Sequence, residues 1–170
     1  SVFAPSEAGQ RLCYERAWVG LDPGEVDFVS THGTATPIGD ATEIASLDAF
    51  FGAARNGRAL LPIASAKALF GHTLAAAGMA SLLEAVLAMR AGILPPHAPV
   101  EPHPRLATTA LVLPREAAAW PSEAGRPRRA GVSAFGFGGA NAHVVVEAFA
   151  PKKKAASAPK RREASQEPTL

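Results

Sequence analysis

The segment Val26-Asp27-Phe28-Val29-Ser30-Thr31-His32-Gly33-Thr34-Ala35-Thr36-Pro37-Ile38-Gly39-Asp40-Ala41-Thr42-Glu43 decides the architecture. It passes from an apolar, β-branched run, through a turn-rich stretch, into a helical pattern. Residues 26–31 read as a short strand. Asp40 is expected to cap a helix over 41–51, with Glu43 three residues later in a capping-box position. Upstream, Leu12, Cys13, Ala17 and Leu21 recur at three- and four-residue steps. That spacing predicts a helix opened by Ser6 and running to about Val19, with Gly20 as its stop and Asp22-Pro23-Gly24 as the following turn.

Downstream, residues 61–65 (LPIAS) predict a second short, buried strand. Lys67, Gly71 and His72 are expected in the loop after it, and a third helix over 73–90. Residues 92–128 are proline-rich and lack a period, apart from a short strand at Leu111–Leu113. Two more strands, 130–135 and 142–148, flank the turn Gly136-Phe137-Gly138-Gly139. Helices and strands in this order make an α/β arrangement.

Length and composition agree with one domain: 170 residues, 48% apolar and 19% charged. The apolar stretch 74–94 contains Glu84 and Arg90, so it reads as a buried helix and not as a membrane span. Residues 1–20 hold no secretory h-region. Cys13 is the one cysteine, which rules out an intrachain disulfide and a multi-cysteine zinc site. A reducing, cytoplasmic setting is expected. The last twenty residues carry six cations against two glutamates, a balance of +4, leaving −2 for the remainder. The basic charge therefore belongs to a polar tail, expected to be disordered over 151–170, and gives no nucleic-acid surface to the 1–150 domain.

Three chemistry-bearing features each follow a predicted strand: His32, the Lys67/His72 pair, and the glycine turn. Ligands of open α/β sheets bind outside the carboxyl ends of the strands. If the first two strands are parallel, His32 and His72 share one edge despite the 40 residues between them. Two imidazoles presenting N–H groups to one carbonyl oxygen would stabilise an enolate, with Lys67 adding positive potential and pairing with Glu43. Glycines 136, 138 and 139 suit positive φ and close backbone approach. Each feature also has a plain structural reading. His32 alone is as readily a turn residue as a functional one, and Glu43 as readily a helix cap. His97 and His103 read as exposed loop residues, His143 as a structural strand residue, and Cys13 as core.

Together they carry a resemblance. The run His32-Gly33-Thr34-Ala35-Thr36-Pro37-Ile38-Gly39-Asp40-Ala41-Thr42-Glu43 resembles the HGT-x-T-x-x-GD-x-x-E signature of β-ketoacyl synthases, the condensing enzymes of fatty acid and polyketide assembly. Ser65-Ala66-Lys67-Ala68-Leu69-Phe70-Gly71-His72 resembles their S-x-K-x-x-x-GH segment. Ser133-Ala134-Phe135-Gly136-Phe137-Gly138-Gly139-Ala140-Asn141 resembles their SFGFGG-T-N turn, with Ala140 in place of the usual threonine. The resemblance spans about residues 5–150. It implies the C-terminal half of a thiolase-like fold, a mixed sheet with packed helices. It assigns His32 and His72 to malonyl decarboxylation and enolate stabilisation, backed by the charged pair Lys67 and Glu43. It gives Phe137 an oxyanion-hole N–H and a gating side chain, and sets Phe135 beside it in substrate binding. Thr34 and Thr36 would line the channel for the phosphopantetheine arm of an acyl carrier protein, the substrate's carrier, with no resident cofactor or metal.

One departure limits these expectations. The family's acyl-bearing cysteine belongs to a C-S-S-like turn of the N-terminal half, and nothing here resembles it; Cys13 has the wrong context. Covalent acyl transfer needs that nucleophile. The expected partners are therefore the acyl carrier protein and the missing N-terminal half or a partner ketosynthase, within a dimer. The competing reading is a non-catalytic, chain-length-factor-like or truncated subunit. A weaker third reading gives the basic tail a polyanion-binding role.

Overall fold

The computed structural model describes residues 4–122 and 126–149. The helix α1 (Glu7–Ala17) starts as expected, with Ser6 accepting the Gly9 N–H at 3.2 Å. The strand β1 is shorter than its sequence pattern, Phe28–Ser30, because Pro23–Glu25 forms a 3-10 turn that ends at Val26. The helix α2 (Pro37–Leu47) begins earlier than expected. Thr36 holds the cap position in an extended conformation and Pro37 is the first helical residue, where its fixed φ fits and its missing N–H costs nothing. Asp40 is thus a first-turn residue and not the cap.

The strand β2 (Leu61–Ala64) leads into a one-turn helix α3 (Lys67–Phe70), so Lys67 opens a helix instead of lying in a loop. A 3-10 turn (Leu74–Ala76) then precedes α4 (Ala77–Ala91), which ends on left-handed Gly92. The proline-rich connection is less irregular than its sequence suggests. It contains β3 (Ile93–Leu94) and β5 (Ala118–Ala119), paired antiparallel, and β4 (Leu111–Val112). The last strands, β6 (Arg129–Phe135) and β7 (Asn141–Glu147), form an antiparallel hairpin. The expected division at residue 150 and the tail 151–170 lie outside the described residues.

The main sheet has the order β4-β2-β1-β6-β7. β1 is parallel to β2 and to β6, and β2 is parallel to β4; only β7 runs the other way. β1 is buried at all three positions, as a central parallel strand with both faces covered should be. Side chains alternate between the faces. Val29 joins Tyr14, Trp18, Leu47 and Phe51 beneath α1 and α2, while Phe28 joins Ala85, Met89 and Trp120 beneath α4.

The helix α4 departs from the expectation of a buried helix. Residues 74–91 are long and apolar enough to cross a membrane by those two measures alone. One face, Ala77, Ser81, Ala85 and Met89, packs on the sheet, whereas Met79, Leu83 and Leu87 are more than half exposed. The helix is therefore one layer of the domain with an uncovered apolar side.

His143 shows how tightly the other layer is built. Its ring lies over Gly131, where a Cβ would come within 2.8 Å of the imidazole. Its Nε2 accepts from Trp18 Nε1 at 3.1 Å, so the proton sits on Nδ1 and is donated to Ser133 Oγ at 3.0 Å. Burial pushes its pKa down to about 3. Between there and the ordinary value of 6.5 the unfolded chain takes up a proton that the folded one refuses. The stability this residue lends is therefore complete above pH 6.5 and lost on acidification, at about 1.4 kcal/mol per pH unit. Urea titrations should show the stability gap between wild type and His143→Gln shrinking from pH 7.5 to pH 5. Gly131→Ala should destabilise by about 1–3 kcal/mol through overpacking against the ring.

Candidate active site

The parallel pairing of β1 with β2 delivers both histidine loops to one edge of the sheet. The His32 and His72 rings stand 5.9 Å apart, nearly perpendicular at 86°. Phe135, from the end of β6, packs on His32 at 5.6 Å. The turn that carries His32 is forced into shape by close packing. Gly33 has φ of 35°, and a Cβ there would meet Ser65 Cβ at 2.8 Å and Thr31 Oγ1 at 2.9 Å. Ser65 Oγ donates to the Gly33 carbonyl at 3.1 Å, tying the two loops together.

The charged pair expected between Lys67 and Glu43 is not a direct ion pair. Glu43 does not form a capping box on its own helix either. It is buried, and its two carboxylate oxygens accept the backbone N–H groups of His32 and Gly33, each at 2.8 Å. Lys67 Nζ donates to the His32 carbonyl at 2.6 Å. The two charges clasp the same stretch of backbone from opposite sides, because the turn offers donors inward and an acceptor outward. Burial raises the Glu43 carboxyl to about 7, against the pull of the two N–H groups. Lys67 is lowered by burial, opposed by Glu43 and Glu84.

Burial, then the Lys67 charge with His72 nearby, lowers His32 to about 4, so its imidazole is neutral at physiological pH. Its Nδ1 is buried without a hydrogen-bond partner. An unpaired acceptor is cheaper there than an unpaired donor, which puts the proton on Nε2. His72 is exposed and is aimed by Gly71, whose φ of 78° turns the chain out of α3. Its Nδ1 accepts the Leu74 N–H at 3.0 Å, so Nε2 carries the proton. Leu74 adopts a φ of 51°, an unusual left-handed conformation for a bulky residue. Both imidazoles are thus set to donate through Nε2.

Thr34 and Thr36 stand side by side at the mouth, with hydroxyls 3.4 Å apart. Phe137 is three-quarters exposed on the turn after β6. Gly138 and Gly139 have the expected positive φ, at 72° and 81°, but Gly136 is extended at −119°. A cavity of about 430 Å³ opens between α2 and the 97–106 segment, and Thr34, Lys67, His72, Leu47 and Ile63 help to line it. His97 and His103 also line it. Both are half-buried and not the exposed loop residues expected, because the proline-rich connection folds back over α2. Ser30 Oγ donates to Glu84 at 2.9 Å behind Lys67, a link with no signal in the sequence. Cys13 is half-buried on α1, and burial raises its thiol, the opposite of an activated thiolate.

Comparisons with known proteins point one way. The family described as beta-ketoacyl synthase, C-terminal domain, matches residues 1–101, and the ketoacyl-synthetase C-terminal extension matches 99–170. A highly reducing polyketide synthase of Aspergillus niger is 42% identical over 154 residues, covering 86% of this chain and 6% of that protein. A spectinabilin polyketide synthase system protein of Streptomyces orinoci is 45% identical over 151 residues, covering 86% of this chain and 7% of that protein. The chain thus spans less than a tenth of these curated relatives. Among solved structures, the ketosynthase from module 6 of the bacillaene synthase of Bacillus subtilis superposes with a TM-score of 0.82 at 32% identity. It covers 91% of this chain and 28% of that one. The fold is accordingly that of a thiolase-like ketosynthase.

Removing the Glu43 carboxylate should leave two buried N–H groups unpaired. Glu43→Ala is expected to destabilise by about 3 kcal/mol, read by chemical denaturation, with Glu43→Gln recovering part of the loss through one amide oxygen.

Proposed function

We propose, from the premise that the chain belongs to the β-ketoacyl synthase family as its C-terminal domain, that it supplies the enolate half of a decarboxylative condensation. The observation that carries this reading is the convergence of two N–H-donating imidazoles, His32 and His72, 5.9 Å apart. The thioester carbonyl of a malonyl unit would sit between them. As the carboxylate leaves as carbon dioxide, the bonding pair moves into the carbonyl and charge develops on its oxygen. Two fixed N–H donors stabilise that charge without giving up a proton. The enolate carbon then attacks an acyl thioester, and the leaving thiolate is a cysteine from outside this chain.

Lys67 and Glu43 act by holding the His32 backbone and setting the local potential. The Phe137 N–H would complete an oxyanion hole for the acyl thioester, with its exposed ring gating the acyl pocket beside Phe135. Thr34 and Thr36 would contact the phosphopantetheine arm of an acyl carrier protein. The relatives favour polyketide over fatty acid assembly. The lone cysteine supports a reducing, cytoplasmic setting, and the sequence supports a domain to residue 150 followed by a basic tail. The uncovered side of α4, with Met79, Leu83 and Leu87, is where the N-terminal half of the ketosynthase would pack, within a dimer. A chain-length-factor-like subunit would need none of His32, Lys67 and His72 together, so the catalytic reading is preferred.

The test is made in the complete ketosynthase that contains this chain and the nucleophilic cysteine. His32→Ala and His72→Ala should each slow malonyl-thioester decarboxylation by about 100-fold or more while leaving acylation of the cysteine intact. Unchanged decarboxylation in either variant would sink the reading. For the chain alone, light scattering should show concentration-dependent association that Leu83→Glu with Leu87→Glu suppresses.

A further inference from the structure

Beneath the histidine pair lies a buried hydrogen-bonded network in which Tyr14 is the hub. Its side chain is fully buried on α1. Its hydroxyl lies 3.3 Å from Ser46 Oγ, with the Ser133 side chain close by. The single Ser46 hydroxyl proton is shared between two acceptors, the Gln10 side-chain oxygen at 2.6 Å and the Glu43 carbonyl at 2.9 Å. Ser133 continues to His143 and Trp18. The Tyr14 ring packs edge-on against His143 at 4.9 Å and against Phe135 at 6.3 Å. Phe135 is the ring that touches His32.

Two routes therefore lead from one tyrosine to one histidine. The polar route runs through α2. Ser46 is three residues after Glu43, on the same helix face. The Tyr14 hydroxyl fixes the rotation of α2 at the turn whose carboxylate holds the His32 and Gly33 N–H groups. A small rotation of that helix would pull both 2.8 Å bonds out of line. The apolar route runs through Phe135, whose ring bounds the His32 imidazole. Filling this space needs only a phenyl ring; a buried hydroxyl costs desolvation unless it is bonded, and here its bonds go to the element that aims the site.

We infer that Tyr14 is a positioning residue for His32, acting through Ser46 and Glu43 on one side and through Phe135 on the other. The inference rests on the reading of His32 given above. In the complete ketosynthase, Tyr14→Phe keeps the ring and removes only the hydroxyl. It should lower kcat for malonyl-thioester decarboxylation by about tenfold with KM unchanged, since small misplacement at a reacting centre costs rate before binding. The acid limb of the pH profile should move up toward neutrality, because a looser pocket no longer holds His32 at about 4. Ser46→Ala cuts the same link from the other end. It should give the same loss, and the double variant should be no worse than either single one. Tyr14→Leu, which also removes the ring contact with Phe135, should lose more than Tyr14→Phe. Wild-type kcat and pH profile in folded Tyr14→Phe and Ser46→Ala, or strictly additive losses in the double variant, would overturn the inference. A parallel His32→Ala variant separates the two readings: if it remains active, the function assigned to His32 fails, whatever Tyr14 does.

Discussion

The structure depends on one buried carboxylate. Glu43 accepts two backbone N–H groups from the turn between β1 and α2, and that turn has no regular ladder to satisfy them. Without this acceptor, His32 and Gly33 would present unpaired donors to the protein interior, a cost comparable to a lost core side chain. With it, the chain can leave the central strand, reverse over Ser65 and enter α2 within six residues. Everything at the candidate site follows from this reversal: the ring position of His32, the reach of Lys67 to its carbonyl, and the exposure of Thr34 and Thr36 at the mouth.

Charge and burial are balanced around it in a way that keeps the His32 imidazole neutral. The desolvated surroundings and then the Lys67 ammonium disfavour a protonated His32. Glu43 partly offsets Lys67 without forming a tight pair with it, so the positive potential at the mouth is not cancelled. The donors of this site are thus oriented by the fold itself, before any ligand enters. Preorganisation of this kind acts where charge develops, not where substrate first binds.

Much of this was legible in the sequence. The strand-turn-helix order, the shared edge of the two histidine loops and the glycine turn all follow from residue type and spacing, because each rests on local backbone chemistry. What escaped the sequence depends on long-range packing. Pro37 opens α2 earlier than the sequence suggests because Thr36 before it is extended and proline's fixed φ suits the first helical residue. Glu43 looked like a capping residue because its real partners, His32 and Gly33, lie outside its helix. His97 and His103 read as exposed loop residues and proved half-buried, since a proline-rich segment carries no period to show which way it folds. The Tyr14, Ser46 and Ser133 network joins three elements at no recognisable interval.

Leu74 shows a cost of this construction. Its left-handed backbone turns its N–H onto His72 Nδ1 and so fixes which nitrogen of that ring carries the proton. A side-chain-bearing residue in this region is disfavoured by roughly 1 kcal/mol relative to glycine. Glycine would relax that torsion but would also free the amide to wander, and the tautomer of His72 with it. The position exchanges backbone ease for ring orientation in a single φ angle, so a substitution that relaxed the torsion would loosen the ring it supports.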